Sequence, residues 1–421
     1  MKNNTKTLLL ILFVSFILRI GYIFIFPQEK ILTNDQIGYD AIAYNLITGN
    51  GFSIKPHIPT PIRPPVYPFF LSLIYFIFGH SYIMVRVFQA ILDALTCVIL
   101  YYLAKEIFDE RIANLSAWLI AFYPVLIVYT GLLLSETLFT FLFIVSIFLF
   151  IKWFQKTKIV YFIGCGIFLG FATLTRPVTI LFPFVVLLSI IIIGRKNYLQ
   201  RFIQWFIFLI AFILIVLPWS IRNYRLFETI EPCSIGIGGG LFIAGNMASG
   251  LTYNESFEKI LKLSENYPEQ EIFISKRSPD IEREKKCKQE GIKLIRANFK
   301  NYILLLIKRL PRFWWTSHSS IFGVDKSISE YLSEKNYFYI FIRSGLLLLH
   351  GIFLILAFGG IVLSRKNWQN SVILILILIY FTGHITFETG PRYQLPTMPY
   401  LFIFTSVCIY KIFEKLKNLK N

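Results

Sequence analysis

Residues 132–154 read LLLSETLFTFLFIVSIFLFIKWF, and this stretch decides the fold. At about 1.5 Å per residue, an apolar run of that length crosses the ~30 Å hydrocarbon layer of a bilayer as one helix. Its charges stand toward its two ends, Glu136 at one and Lys152 at the other. Outward from it, comparable runs recur near 7–26, 82–104, 112–131, 135–153, 159–175, 178–194, 202–219, 338–363, 371–387 and 397–413. The pattern predicts an all-α polytopic membrane protein, a bundle of about ten transmembrane helices, because only helices or closed barrels satisfy their backbones in lipid. Composition agrees: 56% of residues are hydrophobic, 17% aromatic and 16% charged, against about 25% charged in soluble domains. An ordinary soluble enzyme and a disordered tail are excluded. The first run spans the full membrane width, contains Arg19 and precedes no small-residue cleavage site, so it reads as an uncleaved anchor.

The net charge is +18. A soluble protein so basic would suggest nucleic acid, but here the cations cluster between apolar runs, so charge reports topology and no nucleic-acid partner is expected. Lys2 and Lys6, Lys105 and Arg111, Lys152, Lys156 and Lys158, Arg195, Lys196 and Arg201, Arg365 and Lys366, and Lys411, Lys415, Lys417 and Lys420 fall on alternate turns. The positive-inside rule then puts both termini in the cytoplasm of a multi-pass protein of the cell's plasma (inner) membrane. Two long extracytoplasmic loops follow. Residues 1–219 form an N-terminal transmembrane catalytic module that includes the first loop, 27–67. Residues 220–337 form the second, with an interfacial helix over 297–316 where apolar runs mix with Lys308, Arg309 and Arg312. Residues 338–421 supply the C-terminal helices. Function is expected on the loop side.

Thr33-x-x-Gln36 has capping-box form and Gly49 suits the far end, which predicts a short helix over 34–48. Asp35 sits in its first turn, where the helix dipole favours a carboxylate; Tyr39 and Ile42 share its face, and Asp40 points elsewhere. Six prolines between 56 and 68 stiffen the chain around Arg63, and a guanidinium held at the membrane surface suits bidentate phosphate binding. Glu136 lies in apolar sequence, where a carboxylate is costly and is a functional candidate by default. Arg176, Arg222 and Arg392 fall at outer ends of three other spans. Four arginines therefore face two acids, an array that fits a lipid-linked phosphate with a carboxylate acting on a partner hydroxyl; a structural ion-pair network is the competing reading.

Other marks carry less. Gly166-x-x-x-Gly170 is a small-residue face for close helix packing, and IGIGGG at 235–240 lacks the Lys and Ser/Thr of a phosphate loop. Five cysteines show no CxxC spacing, so Cys233 and Cys287 are expected as free thiols. The five histidines lack ligand spacing. No cofactor and no metal is expected, with an oxygen-only site on Asp35 and Glu136 as the open alternative.

Together D-x-x-x-Y-x-x-x-A (Asp35, Tyr39, Ala43), G-x-G-F (Gly49 to Phe52), R-P-P-x-Y-P (Arg63 to Pro68), S-E-T-L-F around Glu136, L-T-R-P (Leu174 to Pro177), P-W-x-x-R-N (Pro218 to Asn223) and R-Y-x-L-P (Arg392 to Pro396) resemble the bacterial and archaeal branch of the protein O-mannosyltransferase and aminoarabinose lipid A transferase superfamily. These are glycosyltransferases of the GT-C fold, family 39-like. The resemblance covers most of the chain and is weakest over 250–340. It implies transfer of a sugar from a polyprenyl-phosphate donor to an acceptor hydroxyl of a lipid, glycan or protein on the extracytoplasmic side, with inversion. It also implies Asp35 as base, Glu136 as its acidic companion, and Arg63 on the carrier phosphate, with Tyr39, Arg176, Arg222, Arg392 and Tyr393 completing the substrate site. Members often carry Asp-Glu where this chain has Asp35-Gln36, and its next acid is Asp40, which stays open as the base. The rival readings are a transporter or flippase of lipid-linked sugars and a polymerase or ligase of surface polysaccharide.

Overall fold

A computed structural model describes residues 2–26, 34–193, 197–229, 233–234, 236–265, 279–364, 368–387 and 390–420. The Thr33 cap and the cation pairs Arg195–Lys196 and Arg365–Lys366 lie outside the described residues. Among the described residues the structure is helical throughout, with one isolated bridge between Ser53 and Pro59.

The chain opens with α1 (Lys2–Ile25), then runs through α2 (Asn34–Ile47) and α3 (Val66–Phe78) to α4 (Tyr82–Ile107). Helices α5 (Glu110–Phe122) and α6 (Pro124–Thr130) form one path bent by 57° at the break before Pro124, where the proline cannot continue the hydrogen-bond ladder. Next come α7 (Glu136–Lys156), α8 (Ile159–Thr175), α9 (Phe182–Ile193) and α10 (Tyr198–Phe227). The second long loop holds α11 (Ile237–Ala248), α12 (Tyr253–Glu265), α13 (Pro279–Ala297), α14 (Phe299–Trp314) and α15 (Ile328–Ser333), and the chain closes with α16 (Tyr337–Leu363), α17 (Trp368–Thr382) and α18 (Met398–Lys420).

Every expected span is helical, but they differ in reach. Helices α1, α4, α7, α10, α16 and the stretch ending in α18 are long and apolar enough to cross a membrane, and the bent α5–α6 path makes a seventh. The remaining three, at α8, α9 and α17, are shorter apolar helices. Helix α3 was not expected: thirteen residues leave Phe69, Leu73, Phe76 and Ile77 exposed on one side, as an apolar helix lying against lipid would.

The centre of the bundle is α7 and α18, whose apolar windows are 72% and 78% enclosed, against 22% for α10 and α16, which turn Phe202, Ile210, Leu214, Leu348 and Phe358 outward. Close packing follows the small residues. A Cβ at Gly166 would stand 2.5 Å from the Phe208 carbonyl oxygen and one at Gly170 2.7 Å from Ile215 Cβ, so the glycine pair lets α8 and α10 touch. Inside the membrane layer, Arg19 of α1 is fully buried. Its Nε donates to Asp93 Oδ2 of α4 at 2.5 Å and its Nη1 to the Ser15 and Ala121 carbonyls at 2.9 and 3.0 Å. A charge this deep persists only when paired and hydrogen-bonded. All five cysteines are buried and free.

Candidate active site

Helix α2 forms where predicted, and Gly49 ends it with φ +81°. Asp35 lies in its first turn. The proline-rich chain that follows returns Arg63 to this helix: Arg63 Nη2 lies 2.7 Å from Asp35 Oδ1, and its guanidinium covers the Tyr39 ring at 5.1 Å. A side chain at position 38 would crowd that return. A Cβ at Gly38 would sit 3.3 Å from Arg63 Nε, so Gly38 opens the space Arg63 occupies. From the far end of the sequence Arg392 donates to the other oxygen of Asp35. One carboxylate is thus held between two guanidiniums. Burial pushes the Asp35 pKa up, but Arg63 and Arg392 outweigh it and hold the carboxyl below its ordinary value.

A second ion pair stands beside the first. Glu136 begins α7 and is buried, with Arg176 Nη1 2.5 Å from its Oε1. Arg176 follows the last turn of α8, and the next residue, Pro177, ends that helix. Ser135 joins the two halves, accepting from Tyr39 Oη at 3.3 Å and from Arg176 Nη1 at 3.5 Å. Tyr393 lies under both Arg176 and Arg392, at 5.5 and 5.2 Å, and His384 stacks on it with centroids 4.8 Å apart. These side chains line one cavity of about 200 Å³, with Leu134, Thr175 and Ser234 also in its wall.

Seven of the eight residues singled out in the sequence meet here: Asp35, Tyr39, Arg63, Glu136, Arg176, Arg392 and Tyr393. Arg222 does not line the cavity. Its Nη1 donates to the Thr60 carbonyl at 3.0 Å, its Nη2 to Phe52 at 3.4 Å, and its guanidinium packs on Trp219 at 4.5 Å, so it ties α10 to the first long loop. Asp40 also lies elsewhere, accepting from Tyr75 Oη and His80 Nε2 at 2.7 Å each and from Tyr82 Oη at 2.9 Å. Gly38, Ser135, Ser234 and His384 escaped the sequence reading. Only Ser135, beside Glu136, carried a local signal. Among the described residues no three His, Cys, Asp or Glu side chains gather as metal ligands, and a cation on Asp35 or Glu136 would face Arg63, Arg392 and Arg176, which is a poor fit.

Residues 62–221 match the dolichyl-phosphate-mannose-protein mannosyltransferase family. No curated protein matches the chain in sequence. Among solved structures, the oligosaccharyltransferase of Archaeoglobus fulgidus in its apo form aligns with a TM-score of 0.61 at 15% identity, covering 99% of this chain and 51% of that one. The same organism's oligosaccharyltransferase AglB, in complex with an inhibitory peptide and a dolichol-phosphate, aligns with a TM-score of 0.59 at 16% identity, covering 99% and 51%. ArnT from Cupriavidus metallidurans bound to undecaprenyl phosphate aligns at 0.43 and 15%, covering 95% and 76%. The chain spans about half the length of the oligosaccharyltransferase structures. The family match runs from the end of the first long loop into α10 and takes in less than half of the chain, while the fold shared with the oligosaccharyltransferase structures covers 99% of it.

Proposed function

We propose that the protein transfers a sugar from a polyprenyl-phosphate donor to an acceptor hydroxyl on the extracytoplasmic face, with inversion. The observation that carries this reading is the clamp on Asp35. Two guanidiniums from residues 63 and 392 converge on one small carboxylate in a cavity at the end of the bundle. That is the charge and spacing a phosphate monoanion or dianion takes bidentately. A dolichol-phosphate occupies the related AglB.

In this reading Asp35 holds the phosphate site while it is empty. The donor's phosphate takes Arg63 and Arg392, the carboxylate loses the charges that kept its pKa down, and it becomes a better proton acceptor. The acceptor oxygen then attacks the anomeric carbon as its proton passes to Asp35. The bond from that carbon to the phosphate oxygen breaks, and its electron pair leaves with polyprenyl phosphate, stabilised by the same arginines. Phosphate as leaving group needs no acid. Glu136 fixes Arg176 and, through Ser135, the Tyr39 wall. No step draws on a metal.

The test uses purified protein in nanodiscs with a panel of polyprenyl-phosphate sugars and membrane extract, scoring free polyprenyl phosphate and labelled product. Wild type should yield both, and Asp35→Asn neither. Because Asp35 competes with phosphate for two guanidiniums, Asp35→Asn should bind polyprenyl phosphate about ten-fold more tightly, or ~1.4 kcal/mol. Movement of the lipid-linked sugar between leaflets without bond cleavage would replace this reading with a flippase.

A further inference from the structure

The segment that carries His384, Arg392 and Tyr393 is held by a helix that the cavity does not include. Three successive backbone carbonyls, those of Ile385, Thr386 and Phe387, receive side-chain donors from α14. Arg309 Nη1 donates to Ile385 at 3.0 Å and to Phe387 at 3.3 Å, and Tyr302 Oη donates to Thr386 at 3.1 Å. Beyond the pocket residues, Gln394 Nε2 donates to the Trp314 carbonyl at the end of α14 at 3.2 Å, and His318 Nε2 donates to Gln394 Oε1 at 3.3 Å. Both ends of the 384–394 stretch are therefore tied to one element.

Helix α14 itself is two-faced. Phe299, Ile303, Leu304, Ile307 and Leu310 are exposed, while Arg309 and Phe313 are buried. Residues 299, 303, 307 and 310 share a side at helical spacing, and Lys300, Lys308 and Arg312 add exposed cations. In a protein whose other exposed apolar surface faces lipid, such a face rests on the bilayer at headgroup depth, where apolar side chains enter the acyl boundary and lysines meet phosphates. An arginine buried on its opposite side is then a link between membrane and site.

We infer that Arg309 is a positioning residue: it fixes the 385–387 backbone to a membrane-resting helix, and so sets where Arg392 and His384 stand in the cavity. It touches neither substrate nor carrier. Its Nη1 reaches both carbonyls while Nη2 turns to Met247 Sδ of α11 at 3.4 Å, and a lysine ammonium, with one nitrogen, can keep the first contact but not both. Loss of the Nη1 donor takes this partner from two carbonyls of the stretch and lets Arg392 drift from Asp35. The consequence for binding rests on the phosphate-clamp reading above; the consequence for the backbone does not.

Two readouts separate them. Hydrogen–deuterium exchange of the full-length protein in nanodiscs follows residues 383–397 in wild type, Arg309→Gln, Arg309→Lys, Tyr302→Phe and the exposed control Lys308→Gln. Arg309→Gln should raise exchange there at least ten-fold. Arg309→Lys and Tyr302→Phe should raise it less, and Lys308→Gln not at all. In parallel, undecaprenyl phosphate titrations should show Arg309→Gln weakened about ten-fold with partial recovery in Arg309→Lys, at a wild-type thermal midpoint. Unchanged exchange in both Arg309→Gln and Tyr302→Phe would overturn the inference, as would equal exchange changes across the whole fold. If wild type does not bind the carrier while exchange responds as stated, the clamp reading falls and the positioning role stands.

Discussion

Asp35 and Asp40 leave the same short helix five residues apart and meet opposite environments. Asp35 enters a cavity between two guanidiniums, beside a second carboxylate–arginine pair. Asp40 accepts from two tyrosine hydroxyls and from His80, whose ring packs edge-on to Tyr75 and Tyr82 at 4.6 and 5.1 Å. The Asp40 carboxylate has three donors from the fold on its two oxygens. Asp35 is neutralised by cations that another anion can claim. Partner type, more than burial, distinguishes a carboxylate that holds a helix in place from one available to chemistry.

The most direct way to break that comparison is to neutralise each acid in turn. Asp35→Asn should lower transfer by about 10³-fold, within the range lost with a general base. Asp40→Asn should leave turnover within a few-fold and lower stability by ~1 kcal/mol, the value of one lost hydrogen bond. Transfer rate and thermal unfolding on both variants measure this, and a transfer loss at Asp40 equal to that at Asp35 would reverse the assignment.

Much of this was legible in the sequence, and for a physical reason. Glu136 and Arg176 stand out because a charge at the end of an apolar run has few reasons to be there, and Asp35 because it falls in the first turn of a capped helix. The helices at α2 and α14 and the glycine face of α8 follow from periodicity and caps. What stayed hidden depends on which segments meet. Arg392 and Asp35 are 357 residues apart, and no local pattern pairs them. Arg222 looked like one more outer arginine until its carbonyl partners at Phe52 and Thr60 appeared. Helix α3 is strongly apolar, but its thirteen residues fall short of a span and so it did not register as one.

A gentler perturbation of the same clamp sharpens the comparison. Gly38→Ala places a methyl 3.3 Å from Arg63 Nε, a contact the arginine must yield to by a few tenths of an ångström. Polyprenyl phosphate affinity should fall about three-fold, or ~0.6 kcal/mol, with the Asp40 cluster and the thermal midpoint unchanged, as read by titration and unfolding together.

The smallest effect is on pH dependence. The folded pKa of Asp35 is lowered, so its contribution to stability is complete above the ordinary carboxylate value of about 4 and is lost as pH falls through the lower folded value. Thermal midpoints of wild type and Asp35→Asn should differ by a constant amount from pH 7 to about pH 5 and converge only below about pH 4. Convergence near neutrality would mean that the arginines do not hold the carboxylate.

The buried Arg19–Asp93 pair bears on how the chain is made. On insertion scales a single arginine or aspartate at the centre of a helix costs about 2.5–3.5 kcal/mol, so α1 and α4 each enter the bilayer at a disadvantage that their ion pair offsets. Their partners are 74 residues apart. At about 5–20 residues per second, the ribosome needs roughly 4–15 s to deliver Asp93 after Arg19. For that interval α1 has to linger beside the insertion machinery with an unneutralised cation, which makes the arrival of α4 the event that commits the first helix to the membrane.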